Sequence, residues 1–459
     1  MGEPVAVDAL GVAGPYRSHR RAALTALTGA QIGEISQVPA LYVRRTIAAM
    51  RAAPALPAAE RFIAFEKAAE AFLEARVAGL GADEYARLVS TASGVPLAVV
   101  RASIQWVADV LRSQRQVFEL AMPTGAVGDW RDGRTLAGAA VWARRGDVFA
   151  VHAAGNTPAV HGLWPEALAL GFKVAVRPST REPYTALRLV TALREAGFPG
   201  HTLTLLPTDH DTADAIIAEA DRAIVYGGQE VVDKYAADPR VLTQGPGRSK
   251  ILVTAEVDWR EKIDIIADSV SHLGGTACTC ATAVLVEGDP EPVARALADR
   301  LGRIPSLPSD DPAAILTLQP TGSARELDRY LHAVAGDARP MLGGDTIVDE
   351  LPTGGAVLRP AVHLVDSATA RQLNVELPFP CVWVGPWRPG DGVAPLRDSL
   401  VLTAMTTRAD LVDALLAEPT ITNLYVGDSP TTWLRPGVPH DGYLGEFLMR
   451  TKGMFRTEG

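Results

Sequence analysis

Apolar positions recur at helical spacing through LYVRRTIAAMRAAP (41–54), AERFIAFEKAAEAFLEARVAGL (59–80) and LAVVRASIQWVADVLRSQRQVFELA (97–121). Residues from about 37 to 122 are therefore predicted as helices, punctuated by proline and glycine. The pattern changes at Gly125–Val148, where scattered charge, two tryptophans and the Asp132-Gly133 turn predict a hairpin. From Val148 short apolar runs alternate with amphipathic stretches. VFAVHAA, FKVAVRP, HTLTLLP and RAIVYGG read as strands, and TPAVHGLWPEALALG, PYTALRLVTALREAG and TADAIIAEAD as the helices between them. Strands separated by helices of that length predict a parallel sheet with crossover helices. A second alternating stretch runs from about Ser249 to 430, with KILVTAE, TAVLVEG and PCVWVGP as strands and a helix near 290–302.

A chain of 459 residues exceeds what one core organises, so two domains or more are expected. With 47% hydrophobic and 21% charged residues the composition is that of an ordinary globular protein. The net charge of −9 argues against nucleic acid as a partner, which needs a basic face. No run of apolar residues predicts a membrane span, and no N-terminal signal pattern is present. The three cysteines, Cys278, Cys280 and Cys381, do not make a disulfide framework, so a cytoplasmic location is expected.

Common chemical motifs are absent. No G-x-G-x-x-G follows the first strand of the 148 region, no phosphate loop or G-x-S-x-G elbow occurs, and nothing has metal-ligand spacing. Ligands on parallel sheets bind beyond the carboxyl ends of the strands, which here carry Ala154, Gly155, Asn156, Pro178, Ser179, Gly227 and Gly228. In HLGGTACTCATAVLVEG (272–288) a glycine pair leads into a thiol and then a strand. Alone, that segment leaves two readings for Cys278: a nucleophile with room around it, or a small buried hydrophobe.

Gly275-Thr276-Ala277-Cys278 before a strand resembles the cysteine motif of aldehyde dehydrogenases. Further blocks resemble that family in the same order. AAGNTPAVHGLWPEALALGFKVAVRPS (153–179) resembles its asparagine-proline block and strand end; YGG (226–228) resembles its glycine turn. QGPGRSKILV (244–253) stands for the block that opens with a glutamate, and NVELPFPCVWVG (374–385) for its glutamate-phenylalanine block. The resemblance spans roughly residues 60–450. It implies an α/β, aldehyde dehydrogenase-like fold: a Rossmann-type cofactor domain (1–124 and 149–248), an α/β catalytic domain (249–430), and an oligomerisation hairpin and tail (125–148 and 431–459) that would make a homodimer or homotetramer.

By the same resemblance Cys278 attacks an aldehyde or acyl carbonyl, and Asn156 with the Cys278 backbone N–H faces the oxyanion. The cofactor, NADP or NAD, would meet Ala154, Gly155, Arg177, Pro178, Ser179, Gly227 and Gly228, with Glu376 on the nicotinamide ribose. Arg177 replaces the family's lysine, and a planar guanidinium suits a 2′-phosphate, which tilts the expectation to NADPH. Asn156 as a turn residue, Arg177 as a surface arginine and Glu376 as a solvated loop carboxylate are the alternatives.

Gln244 occupies the place of the base that activates water against the thioester, 34 residues before Cys278. An amide cannot take up a proton. The Gly-Pro-Gly that follows resembles CoA-acylating aldehyde dehydrogenases and the fatty-acyl-CoA reductases. The expectation is therefore NAD(P)H-dependent reduction of an acyl thioester, on CoA or an acyl-carrier protein, to an aldehyde. Hydrolytic aldehyde oxidation is the alternative, with Glu256 or Glu230 as a substitute base; a retired homologue acting as a binding subunit is the third reading. Cys280 and Cys381 are expected as packing residues. Trp106, Phe118, Tyr425, Trp433, Tyr443 and Phe447 are candidates for a substrate channel.

Overall fold

The computed structural model describes residues 5–439 and 442–457; positions 440, 441, 458 and 459 of the expected tail lie outside the described residues. The chain divides into two compact units, one of residues 1–93, 100–245 and 436–459, the other of 94–99 and 246–435.

The first unit is built on a seven-stranded sheet. In spatial order its strands are Val241–Gln244, Arg222–Tyr226, Val148–His152, Lys173–Arg177, Leu203–Leu205, Ala9–Gly11 and Gly14–Tyr16. The first five run parallel, and each of the last two is antiparallel to the strand before it. Every residue of the 148–152, 173–177 and 203–205 strands is buried, which is why their sequences read as continuous apolar runs. Numbered along the chain from Val148, the parallel strands lie in the order 5-4-1-2-3. Direction of winding therefore reverses between 148–152 and 222–226, the kind of switch point where open α/β sheets hold ligands.

Two expectations need correction in this unit. The 125–148 segment is not a hairpin. Ala126–Val127 pairs in parallel with Ala139–Arg144, across a 3-10 turn at Gly133–Leu136, and the long strand pairs antiparallel with Met449–Met454. The stretch from Thr157 to Gly171 is not one helix. A 3-10 turn at Pro158–Gly162 is followed by a short helix that starts at Pro165 and runs to Ala169; Pro165 has no N–H to donate back into the preceding turn and suits a first helical position. Five strands before residue 37, from Val5–Val7 to Gln31–Ser36, carry no alternation long enough to be read. The helices of 40–121 form as expected, as Ala40–Ala52, Ala58–Glu74, Ala82–Ser93, Leu97–Arg112 and Gln114–Ala121.

The second unit carries another seven-stranded sheet, in the order Arg339–Leu342, Ala361–Leu364, Cys381–Trp387, Ala281–Glu287, Ser249–Val253, Ser399–Met405 and Ile421–Val426. Only the 339–342 strand runs antiparallel to its neighbour. The three central strands are sealed on both faces. Ile251, Val284 and Val382 pack under Ile266, Val293 and Leu297 on one side, and Leu252, Leu285 and Trp383 pack with Leu373, Leu402 and Ala404 on the other. Burying each such large side chain contributes about 1.5–3 kcal/mol, so the frame beside the thiol is rigid. No single helix among the described residues is long and apolar enough to cross a membrane.

Candidate active site

In the second unit, chain connectivity places Cys278 just ahead of the 281–287 strand. The segment before it turns sharply: Leu273, Gly274 and Gly275 all have positive φ, at 49°, 72° and 70°. The glycine pair has two reasons to be glycine. It adopts a left-handed backbone, and it has no room for a side chain. A Cβ at Gly274 would stand 2.2 Å from the Ile315 carbonyl oxygen, and one at Gly275 would stand 2.4 Å from the Pro380 nitrogen.

The thiol then sits on a tight turn, closed by the Cys280 N–H donating to the Ala277 carbonyl at 2.9 Å. This turn, rather than an extended strand, separates Cys278 from Cys280. Cys278 is partly exposed and is not in a disulfide. Its carbonyl oxygen accepts from Ser249 Oγ at 2.9 Å. Cys280 is buried, its Sγ 3.2 Å from the His272 carbonyl, and burial pushes its thiol up to about 12. It stays protonated and inert at neutral pH. Cys381, inside the 381–387 strand, is buried and pushed up as well.

Gly247 lies directly against the turn; a Cβ there would meet the Cys278 carbonyl oxygen at 1.9 Å. Arg248 follows with a left-handed φ of 47° and donates its N–H to Glu376 Oε2 at 2.7 Å. Glu376 is partly buried. Desolvation raises its carboxyl above the usual range against the opposing pull of the Arg248 and Gly247 N–H groups.

Glu256 is not a substitute base. It lies past the carboxyl end of the 249–253 strand, whereas Cys278 precedes the amino end of the parallel neighbour, whose Ala281 pairs with Ser249. The strand length alone separates them by more than about 13 Å. Desolvation of Glu256 is outweighed by hydrogen bonds from Thr254 and Thr406, which hold its carboxyl at about 2.

In the first unit the remaining candidates gather at the carboxyl ends of the parallel strands. Ala154, Gly155 and Asn156 follow the 148–152 strand, and Pro178 and Ser179 follow 173–177. The two ends touch, since a Cβ at Gly155 would lie 2.4 Å from Ser179 Oγ. Asn156 is fixed through its neighbour Thr157, which is buried, 2.9 Å from Ser103 Oγ, and caps the next turn through the Ala159 N–H. That Ser103–Thr157 anchor was not anticipated; the Thr-Pro pair opening a helical turn is the sequence signal for it. Across the switch point Gly227 and Gly228 end the 222–226 strand, and the Gly227 N–H donates to the Gln244 carbonyl at 3.0 Å. Glu230 is exposed on the short helix beyond.

A Cβ on Gly228 would meet nothing within 4 Å. The open backbone at Gly228, at the switch point of a parallel sheet, leaves room for a ligand such as a dinucleotide. Among the described residues no group of histidine, cysteine, aspartate and glutamate could hold a metal ion.

The family model described as aldehyde dehydrogenase family matches residues 17–384. The chain belongs to that family. Aldehyde dehydrogenase 1A1 of Equus caballus is 30% identical over 143 residues, which are 29% of this chain and 28% of that relative. The fold is that of an NAD-dependent aldehyde dehydrogenase from Sinorhizobium meliloti, with TM-score 0.82, 20% identity, and coverage of 99% of this chain and 95% of the other. An NADP-dependent enzyme of E. coli matches at TM-score 0.80 and 18% identity, over 98% of each chain.

As an aldehyde dehydrogenase fold, the chain departs from expectation at Arg177. The guanidinium is buried rather than on the surface, with Nε donating to Thr208 Oγ1 at 3.0 Å and Nη2 to the Thr208 carbonyl at 3.4 Å. Its fork is turned inward, so it gives no reason to prefer a 2′-phosphate. Two channel candidates also serve packing: Phe118 meets Phe62 edge to face and Trp142 at a tilt, and Phe447 lies under Arg222. Tyr425 and Trp433 pack edge to face, with Trp433 exposed.

Proposed function

We propose that this chain is an NAD(P)-dependent aldehyde dehydrogenase that works through a covalent bond to Cys278. The observation that carries the reading is the partly exposed thiol on a turn fixed by Gly247, Ser249 and Gly275, within a chain of this family. A turn so fixed presents the sulfur to a carbonyl carbon without rearrangement. The sulfur adds to the aldehyde to give a thiohemiacetal, hydride leaves, and a thioester remains on Cys278. NAD(P)+, bound at Ala154, Gly155, Pro178, Ser179, Gly227 and Gly228, would take the hydride. Asn156 and the Cys278 N–H would stabilise the oxyanion, since fixed donors act where charge develops. Aldehyde dehydrogenase 1A1 and the Sinorhizobium meliloti enzyme are named as dehydrogenases of aldehydes, which favours oxidation.

One observation favours a second reading for the fate of the thioester. Gln244 stands where the resemblance puts the base, and Glu256 is remote from Cys278 within its own unit. A thiol acceptor, CoA or a carrier protein, brings its own nucleophile and needs no base. The same chemistry run backwards reduces an acyl thioester to an aldehyde.

The test is to follow NAD(P)H absorbance with a panel of aldehydes, with and without CoA, and with acyl-CoAs in the reverse direction. Aldehyde-dependent NAD(P)H formation lost in Cys278→Ala supports the proposal, and a strict need for CoA selects the second reading. No turnover in either direction, with Cys278 labelled normally by a thiol reagent, would overturn it.

A further inference from the structure

We infer that Glu376 is a positioning residue for the Cys278 turn, acting through the backbone of Gly247 and Arg248. This rests on the proposed role of Cys278 as nucleophile, and it differs from the ribose contact that the family resemblance implies for Glu376.

The carboxylate is engaged by the protein itself. Oε2 accepts the Arg248 N–H at 2.7 Å, and the Gly247 N–H is a second backbone donor to the group. Successive N–H groups converging on one anion form the concavity that elsewhere binds phosphates and carboxylates. Here Glu376 fills it. Arg248 adopts φ 47° although it carries a side chain. Such a conformation persists only where the surroundings hold it, and the carboxylate supplies that hold.

What the clamp fixes is the thiol. Gly247 presses on the Cys278 carbonyl with no space for a methyl group, and Ser249, next but one, hydrogen-bonds the same oxygen. The Gly247 carbonyl is tied in turn to the Leu400 N–H at 2.8 Å. The segment after Glu376 reaches the thiol loop again from the other side, since Phe379 and Pro380 lie against Gly275. Residues 376–380 therefore touch the loop at both of its ends, once through 247–248 and once through 275.

The experiment reads the thiol without turnover or cofactor. Alkylation of Cys278 by iodoacetamide is timed by peptide mass spectrometry in the full chain, for the parent, Glu376→Ala and Glu376→Gln, with NAD(P)+ affinity measured in parallel by titration. A change of about tenfold in the alkylation rate is expected in Glu376→Ala, as displacing a reacting group by a fraction of an ångström can produce. Glu376→Gln keeps a carbonyl that accepts from the same N–H groups and should restore at least half of that change on a logarithmic scale, with cofactor affinity little altered.

An unchanged alkylation rate in Glu376→Ala, with weakened cofactor binding, would overturn the inference in favour of the ribose contact. Glutamine behaving as alanine does would overturn it too. Should Glu376→Ala not fold, Glu376→Asp replaces it, since the shorter carboxylate cannot span both donors. Because alkylation needs no substrate, failure of the proposed activity would leave this readout intact.

Discussion

Replacing Gly247 with alanine would place a carbon 1.9 Å from the Cys278 carbonyl oxygen, 2.7 Å from its carbonyl carbon and 3.0 Å from its Cα. All three neighbours are backbone atoms, so no side chain can swing aside. Cβ contacts below 3.0 Å essentially do not occur, so the two segments must separate by about 1.1 Å. Gly247 has little freedom to yield, because its carbonyl is bonded to Leu400 and the next residues enter the central strand. The movement therefore falls on the turn that carries the thiol. A displacement of about 1 Å at a reacting group costs on the order of 10²-fold in rate. Overpacking of this kind costs about 1–3 kcal/mol in stability. Single-turnover acylation, thermal unfolding and cofactor titration separate these effects. Gly247→Ala should give a folded variant with slow acylation and normal cofactor affinity. A folded variant that acylates at the parent rate would mean that the Gly247 contact does not set the position of the thiol.

Gln244→Glu restores a carboxylate where the family resemblance expects a base, and should add hydrolysis of the acyl-enzyme by about tenfold or more, as general bases do; release of free acid without added thiol is the measurement, and no gain counts against Gln244 as the base's replacement. Glu166 is buried, and desolvation raises its carboxyl to about 7, against hydrogen bonds from the Gly445 and Leu444 N–H groups. Because the folded state binds this proton more tightly than the unfolded chain, whose value is near 4.5, stability should fall as pH rises from 4.5 to about 7 and level off above. The fall is up to about 3 kcal/mol, and Glu166→Gln should flatten it in unfolding curves taken across that range. A slope that survives the substitution contradicts the assignment. Cys280→Ser keeps a donor for the His272 carbonyl and should leave acylation unchanged; loss of the acyl-enzyme in that variant would reassign the nucleophile.

The central strands were legible because both faces are covered. VFAVH, KVAVR and SKILV are apolar or tightly partnered at every position, and a run of that kind has no other comfortable place. Lys173 and Lys250, the apparent exceptions, end on backbone carbonyls. The 125–148 segment was misread because the partner of its main strand is Met449–Met454, some 300 residues away, and no local pattern encodes that pairing. The cysteine and the glycines before it were visible as residue types. Their left-handed backbone and their contact with residues 379–380 were not, since both depend on how distant segments meet. Arg177 shows the limit most plainly. At a strand end it read as a group for solvent or phosphate, and the nearby Thr208 draws it inward.

The most direct measurement of the central claim is peptide mass spectrometry of the protein quenched during turnover, with an aldehyde plus NAD(P)+ or with an acyl-CoA. One acyl group is expected on the peptide containing Cys278, absent in Cys278→Ala, which should also be inactive. Turnover that persists in Cys278→Ala, or an acyl group found on another residue, would contradict it.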